Sequence, residues 1–123
     1  MGYILIVEDS AHVATAIKDL IELMGHESLI AETGQQALEV LTQEPYPDLV
    51  MLDWMLPDAE GIDILRHIRS SPMATTPVIM LTAKGELNSR LTGLEAGADD
   101  YVAKPFNVKE LQARITAVMR RAG

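Results

Sequence analysis

The sequence predicts an α/β fold in which a parallel five-stranded sheet is covered by helices on both faces. Five short apolar runs recur along the 123 residues, and segments with helical spacing lie between them. Three of the runs are almost continuously apolar, which is typical of strands buried on both faces. Strands that alternate with helices imply right-handed crossovers in a parallel sheet. We therefore expect five strand–helix units in one domain.

The individual elements follow from the spacing of the apolar residues. The predicted strands are 3–7, 27–31, 48–52, 77–81 and 99–103. The apolar positions of the five predicted helices are, in chain order, Val13, Ile17, Leu20, Ile21 and Met24; Ala37, Leu38 and Leu41; Ile64, Leu65 and Ile68; Leu87, Leu91 and Leu94; and Val108, Leu111, Ile115, Val118 and Met119.

Residues at the helix ends support these assignments. Thr33 with Gln36, and Asn107 with Glu110, have the spacing of a capping box, in which two side chains satisfy amides at the helix start. Glycine or proline marks the ends of three helices, at Gly25, at 70–72 and at Gly97.

Composition narrows the classes of function. The formal net charge of −8 argues against a domain that binds nucleic acid by itself, since contacts with phosphate groups rely on basic patches. The chain has no cysteine, which excludes disulfides and thiolate chemistry. The apolar runs are far shorter than a membrane span, and the chain enters a strand-like run without a signal peptide. We expect a cytoplasmic protein that does not bind a membrane.

Polar residues follow all five predicted strands, but Glu32, after the second, has no obvious partner. In an open parallel sheet, ligands bind beyond the carboxyl ends of the strands, where the strand order reverses. A cluster fed by strands 1, 3, 4 and 5 places strands 1 and 3 at the centre, as in the flavodoxin-like doubly wound (βα)5 fold with strand order 2-1-3-4-5. The residues of this cluster are Glu8 and Asp9, Asp53, Thr82 and Ala83, and Lys104.

The chemistry of this cluster favours phosphoryl transfer. Three converging carboxylates, those of Glu8, Asp9 and Asp53, would repel one another unless cations are supplied. Lys104 supplies one positive charge, and a hard divalent cation such as Mg²⁺ (or Mn²⁺) suits the oxygen ligands. Such a metal lets an anionic phosphoryl group approach Asp53, and Thr82 and Lys104 can bind its oxygens. Asp53 would then act as a nucleophilic carboxylate.

Four short motifs in this order resemble the receiver domain of bacterial two-component response regulators, over essentially the full length of the chain. Each motif is weak alone, but four of them at successive strand ends are specific. They are Val7-Glu8-Asp9, Asp53-Trp54-Met55-Leu56-Pro57 followed by Gly61, Leu81-Thr82-Ala83, and Lys104-Pro105-Phe106.

The resemblance implies a role for each site residue and a cis peptide bond between Lys104 and Pro105. The roles are Asp53 as phosphoacceptor, Glu8 and Asp9 as the acidic pair that holds Mg²⁺, the Met55 backbone carbonyl as the third protein ligand, Thr82 as the switch hydroxyl with the Ala83 amide beside it, Lys104 as the partner of the phosphoryl group, and Tyr101 as the aromatic switch. Glu8 departs from the more usual Asp of the acidic pair.

The second half of the chain resembles the OmpR/PhoB subclass, whose members carry a C-terminal winged-helix DNA-binding domain. On activation they pair through the fourth helix, the fifth strand and the fifth helix. Here that face would carry Arg90, Asp99, Asp100, Glu110, Arg114 and Arg121. The resemblance implies a sensor histidine kinase as phosphoryl donor, a homodimer as the active form, and DNA binding only through a domain outside this chain.

We expect residues 1–121 to form the receiver domain and residues 122–123 to be a tail or the start of a linker. The chain would be a piece of a longer regulator or, alternatively, a stand-alone receiver acting in a phosphorelay or by protein–protein contact. It would not be an enzyme beyond catalysing its own phosphorylation and autodephosphorylation.

The sequence alone leaves other interpretations of these residues open. Glu8 and Asp9 could cap the first helix, although Ser10 could do so instead. Tyr101 could be a plain core aromatic, and the charged face could be merely solvated. A haloacid-dehalogenase phosphatase would need an acid at position 55, which is Met55. A flavin carrier would need a phosphate-binding loop where two acids stand, and a degenerate receiver would lack part of the site.

Overall fold

The predicted strand order 2-1-3-4-5 is confirmed: the computed structural model, which describes residues 2–83 and 97–122, contains one parallel five-stranded sheet in the order β2-β1-β3-β4-β5. The strands are β1 (Ile4–Val7), β2 (Ser28–Ala31), β3 (Leu49–Asp53), β4 (Val78–Ala83) and β5 (Asp100–Lys104). The helices are α1 (Ala11–Leu23), α2 (Gly34–Leu41), α3 (Gly61–Arg69) and a C-terminal helix (Val108–Ala122). The predicted fourth helix and Arg90 lie outside the described residues.

Helices cover the sheet on both faces, which explains why the central strands are apolar throughout. Every residue of β1 and β3 is buried. Alternate residues of each strand point to opposite faces. Leu5 and Leu52 belong to a core cluster with α2 and α3, whereas Ile6 and Met51 belong to a second cluster with α1 and the C-terminal helix.

The capping signals place the helix starts where the sequence indicates, with one variation in each predicted capping box. Thr33 Oγ1 accepts from the Gln36 amide at 3.1 Å, but Gln36 Oε1 accepts from the amide of Glu32, one residue before the cap. Asn107 Oδ1 accepts from the Glu110 amide at 3.3 Å, while the Glu110 carboxylate lies 3.7 Å from the guanidinium of Arg114.

Three strands extend further toward their carboxyl ends than the sequence predicts. Ladder pairing continues through Asp53, opposite Leu81, and through Ala83, opposite Lys104. These residues are therefore the last residues of strands and not the first residues of loops. The C-terminal helix reaches Ala122.

The side chain of Arg69 connects three segments at the end of the sheet opposite the polar cluster. Its Nε and Nη2 donate to the Gly97 carbonyl at 2.9 and 2.7 Å, and its Nη1 donates to the carbonyls of Ala74 and Thr76. Nη2 also pairs with Asp99 at 2.8 Å. Arg69 thereby fixes the end of α3, the approach to β4 and the approach to β5.

No helix within residues 2–83 and 97–122 is long and apolar enough to cross a membrane.

Candidate functional site

The carboxyl ends of β1, β3 and β5 bring three charged side chains together. Glu8 follows β1, Asp53 is the last residue of β3, and Lys104 is the last residue of β5. The Lys104 ammonium lies 2.6 Å from Glu8 Oε1 and 3.1 Å from Asp53 Oδ1. The convergence expected from the strand order is thus present in the structure. The peptide bond between Lys104 and Pro105 is cis.

Glu8 is held in one orientation by two neighbours. Its side chain is buried, with the residue 1% exposed. Oε2 accepts from the Ser10 amide at 3.1 Å, and Oε1 faces Lys104. Ser10 also caps α1 by accepting from the Val13 amide at 3.4 Å. Because Ser10 caps the helix, Glu8 is directed into the cluster and does not serve as the cap.

Asp53 is a carboxyl group whose charged form is unfavourable here. The residue is only 5% exposed. Its pKa is raised from the ordinary 3.8 to about 6, first by burial and then by the negative charge of Glu8, while Lys104 opposes both effects. Burial alone would lower the pKa of Lys104, but its contacts with Glu8 and Asp53 outweigh burial and raise it. One ammonium group therefore does not balance the acids around it.

The acidic residues have the composition and spacing of a site for a hard divalent cation. Glu8, Asp9 and Asp53 each offer a carboxylate oxygen, and these oxygens lie within 4.8 Å of one another. Asp9 is exposed, whereas the other two are buried, so the cluster opens toward solvent on one side. Three carboxylates face the single positive charge of Lys104, and their oxygen atoms are the ligands that Mg²⁺ prefers. The residues present therefore fit Mg²⁺.

The loop between β3 and α3, residues 54–60, follows Asp53 directly and is closed by its own backbone hydrogen bonds. The Gly61 amide donates to the Trp54 carbonyl at 2.7 Å, and the Leu56 amide donates to the Ala59 carbonyl at 3.0 Å. Any Cβ at position 61 would collide with the carbonyl oxygen of Asp53. Glycine is therefore required by the close approach of two backbone segments. Met55, the predicted carbonyl ligand, has its side chain outward, with the residue 72% exposed.

Thr82 presents a buried hydroxyl near the carboxyl end of β4, the strand that pairs with β3. The residue is 1% exposed, and across residues 2–83 and 97–122 its Oγ1 finds no hydrogen-bond partner. A buried hydroxyl without a partner costs about 1–3 kcal/mol, so such a group is available for a ligand. In the register of β4 and β5, Thr82 pairs with Ala103 and Met80 pairs with Tyr101. Thr82 and Tyr101 therefore share one face of the sheet, and Tyr101 packs against the cluster that contains α2 and α3.

The charged face predicted for dimerisation is partly paired within the chain. Arg114 Nη1 donates to both carboxylate oxygens of Asp100, at 2.9 and 3.0 Å. Asp99 binds Arg69 and accepts from the Val78 amide at 2.8 Å. Arg121 is exposed near the end of the C-terminal helix. These acids are thus engaged by partners within the chain.

The sequence interpretation gave no role to Asp58. Asp58 Oδ1 accepts from the Gly34 amide at 2.7 Å, and Oδ2 accepts from the Gln35 amide at 3.0 Å. These two bonds hold the pKa of the Asp58 carboxyl below its ordinary value. An acid in a turn was the only local signal, and it does not indicate which helix the acid would reach.

Comparisons with known proteins agree with this geometry. Residues 4–116 match the family model described as the response regulator receiver domain. The phosphate regulon transcriptional regulatory protein PhoB of Pseudomonas aeruginosa is 48% identical over 121 residues, which cover 98% of this chain and 52% of that protein.

Among solved structures, the receiver domain of the Francisella response regulator 1452 superimposes with a TM-score of 0.89 at 32% identity and covers all of both chains. DrrB, a Thermotoga maritima OmpR/PhoB homologue, gives a TM-score of 0.85 at 36% identity and covers 98% of this chain and 54% of that one.

The chain spans about half the length of the curated relatives that it matches. The match to the family model nonetheless covers most of the chain, and the site lies where the fold predicts it. The chain therefore belongs to the family of response regulator receiver domains and is similar to its PhoB-type members.

Proposed function

We propose that Asp53 is the phosphoacceptor of a signalling switch. One observation supports this most strongly: the buried Asp53 carboxylate lies among two other acids and Lys104. Asp53 pairs with Leu81 in the sheet, and the next residue, Thr82, has a buried hydroxyl with no hydrogen-bond partner among the described residues. This set contains a nucleophile, a cation site and two groups that can bind a phosphoryl oxygen. A complete set of this kind argues against a degenerate receiver.

In the proposed reaction, a carboxylate oxygen of Asp53 attacks the phosphorus atom of a phosphohistidine on a sensor kinase. The bond between phosphorus and the histidine nitrogen breaks, and an acyl phosphate forms on Asp53. Lys104, already 3.1 Å from Asp53, would pair with a phosphoryl oxygen. Thr82 and the Ala83 amide would donate to the others.

Glu8, Asp9, Asp53 and the Met55 carbonyl would hold Mg²⁺, or Mn²⁺. Bound there, the cation would offset negative charge on the transferred group and favour the ionised form of the Asp53 carboxyl. Of these ligands, only Asp9 is both acidic and exposed, so it is the group that an arriving cation would meet first.

The shared face of Thr82 and Tyr101 supports a route from the site to the surface. Drawing the Thr82 hydroxyl toward a phosphoryl group would open space on that face, and Tyr101 would turn inward to fill it. The face formed by the fourth helix, β5 and the C-terminal helix would then repack and pair with a second copy. Asp100 and Arg114 would have to exchange their present bonds for intermolecular ones.

We further propose a cytoplasmic regulator whose output is transcription, acting through a DNA-binding domain beyond this chain. The similarity to PhoB supports this output. A stand-alone receiver in a phosphorelay is the alternative. In either case the domain would catalyse only its own phosphorylation and autodephosphorylation, with no separate enzymatic substrate.

Trp54 provides a direct test of the site, since it is the only tryptophan and follows Asp53 in the chain. Its fluorescence should change when Mg²⁺ is added, and change again with beryllofluoride or acetyl phosphate. A folded protein that responds to none of these would refute the phosphoacceptor assignment.

Labelling identifies the acceptor itself. Asp53→Asn should abolish acid-labile phosphate incorporation from acetyl phosphate, whereas Asp63→Asn, which changes an exposed carboxylate of α3, should leave it intact. Labelling that survives in Asp53→Asn would place the acceptor elsewhere.

Sedimentation with and without beryllofluoride tests dimerisation, and an unchanged monomer would count against the proposed face.

A further inference from the structure

We propose that Asp58 is a positioning residue: by binding the start of α2 it fixes the loop that carries Met55, and so sets the affinity of the site for Mg²⁺. This inference rests on the proposed function of the acidic cluster. It concerns an exposed residue that is not itself among the groups proposed to contact the cation or the phosphoryl group.

The contact is bidentate and joins two segments that are distant in sequence. The two carboxylate oxygens of Asp58 accept from the amides of Gly34 and Gln35 at 2.7 and 3.0 Å. Amides in the first turn of a helix have no partner within the helix, and the helix dipole favours a negative charge there. A charged carboxylate is thus well matched to this position, in keeping with its lowered pKa.

The start of α2 needs this side chain because its own cap satisfies only part of the first turn. The Thr33 hydroxyl accepts from Gln36, and the Thr33 carbonyl accepts from Ala37. The first two amides, those of Gly34 and Gln35, are satisfied by Asp58. Asp58 thus satisfies the first two amides of α2, and Thr33 satisfies the third. Because Asp58 belongs to the loop, these bonds fix the loop and the start of α2 relative to each other.

The fit between the loop and α2 is close enough to define the position of the loop. A Cβ at Gly34 would lie 2.9 Å from the Cβ of Ala59 and 3.2 Å from Asp58 Oδ1. The loop is also closed by bonds from Gly61 to Trp54 and from Leu56 to Ala59. A short loop closed in this way moves as a unit, so losing the anchor at Asp58 would also displace Met55, three residues earlier.

The test compares Mg²⁺ titrations of Trp54 fluorescence in matched variants. Asp58→Ala should raise the Mg²⁺ concentration at half-maximal response about tenfold, the lower end of the effect of removing a residue that orients a metal ligand. Asp58→Asn retains one acceptor oxygen for the helix amides and should keep the midpoint within about twofold of wild type. Gly34→Ala, which pushes on the same contact from the helix side, should raise the midpoint in the same direction as Asp58→Ala.

Two controls separate positioning from a general loss of stability. Thr33→Ala removes the other acceptor at the start of α2 and should lower the melting temperature without moving the Mg²⁺ midpoint. Asp63→Ala removes a neighbouring exposed acid and should change neither. An Asp58→Ala midpoint equal to wild type, or an equal shift in Thr33→Ala, would overturn the inference. A wild-type protein with no Mg²⁺ response would instead overturn the proposed site itself.

Discussion

Replacing Asp53 by Asn should stabilise the metal-free protein, and the gain should depend on pH. The pKa of Asp53 is raised from 3.8 to about 6 by burial and by the charge of Glu8, against the effect of Lys104. The folded state therefore binds this proton more tightly than the unfolded state. As pH rises from about 4 to about 6, the unfolded chain loses this proton more readily than the folded protein does. The free energy of unfolding of the wild type therefore falls over this range and stays low above it.

The magnitude follows from the two pKa values. The pKa difference between 3.8 and about 6, at 1.36 kcal/mol per unit, lowers the free energy of unfolding of the wild type by about 3 kcal/mol between low and neutral pH. The net gain in Asp53→Asn should be nearer to about 2 kcal/mol, because Lys104 loses one of its two partners. The free-energy difference between variant and wild type should therefore be smallest near pH 4 and reach its maximum near pH 7.

Urea unfolding followed by circular dichroism, in EDTA at pH 4, 5, 6 and 7, measures this difference. Asp63→Asn is the matched control, since its carboxylate is exposed and lies 3.9 Å from Arg66; its difference from wild type should stay small throughout. A difference between Asp53→Asn and wild type that is constant from pH 4 to 7 would show that Asp53 is not held in an unfavourable charged state.

Three further predictions concern the metal, the loop and the Arg69 contacts. Mg²⁺ at about 100 times its dissociation constant should raise wild-type stability by about 2.7 kcal/mol, and EDTA should reverse this; equal melting curves would contradict a cation site. Gly61→Ala should cost about 3 kcal/mol or more in urea unfolding, because its Cβ collides with the Asp53 carbonyl. Arg69→Ala should cost about 2–4 kcal/mol, since it removes bonds to three carbonyls. The exposed Arg66→Ala should cost less than about 0.5 kcal/mol, and similar losses in both would show that the Arg69 bonds contribute little.

The sequence predicted the strand order because the polar residues that follow the strands reveal which strands are neighbours. Glu8, Asp53 and Lys104 can meet only if strands 1 and 3 are central, and the observed register brings them together. The carboxyl ends of three strands were placed one or two residues short. Apolar runs stop before Thr82 and Lys104, whereas the hydrogen-bond ladder, which has no local signal, continues through them.

Local sequence patterns did not predict the side-chain contacts between segments that are distant in the chain. Asp58 meets Gly34, 24 residues earlier, and Arg69 meets Gly97, 28 residues later. Neither pairing follows from helical spacing or from capping rules, because each depends on how two loops approach after the sheet has formed. The capping boxes failed in part for a related reason: Glu110 was expected to return to its own helix start but faces Arg114.

The bond between Asp100 and Arg114 has a consequence for selectivity. An interface that used these two residues would exchange one ion pair for another, with no gain in their number. The strength of association would then come from apolar surface, while the charges would set which copies fit. If this chain met a related chain that lacks complementary charges at these positions, Asp100 and Arg114 would have to give up their bond to each other and would form no intermolecular ion pair in exchange. If this face pairs as proposed, such an arrangement would reject mismatched partners and would let the matched pair separate readily.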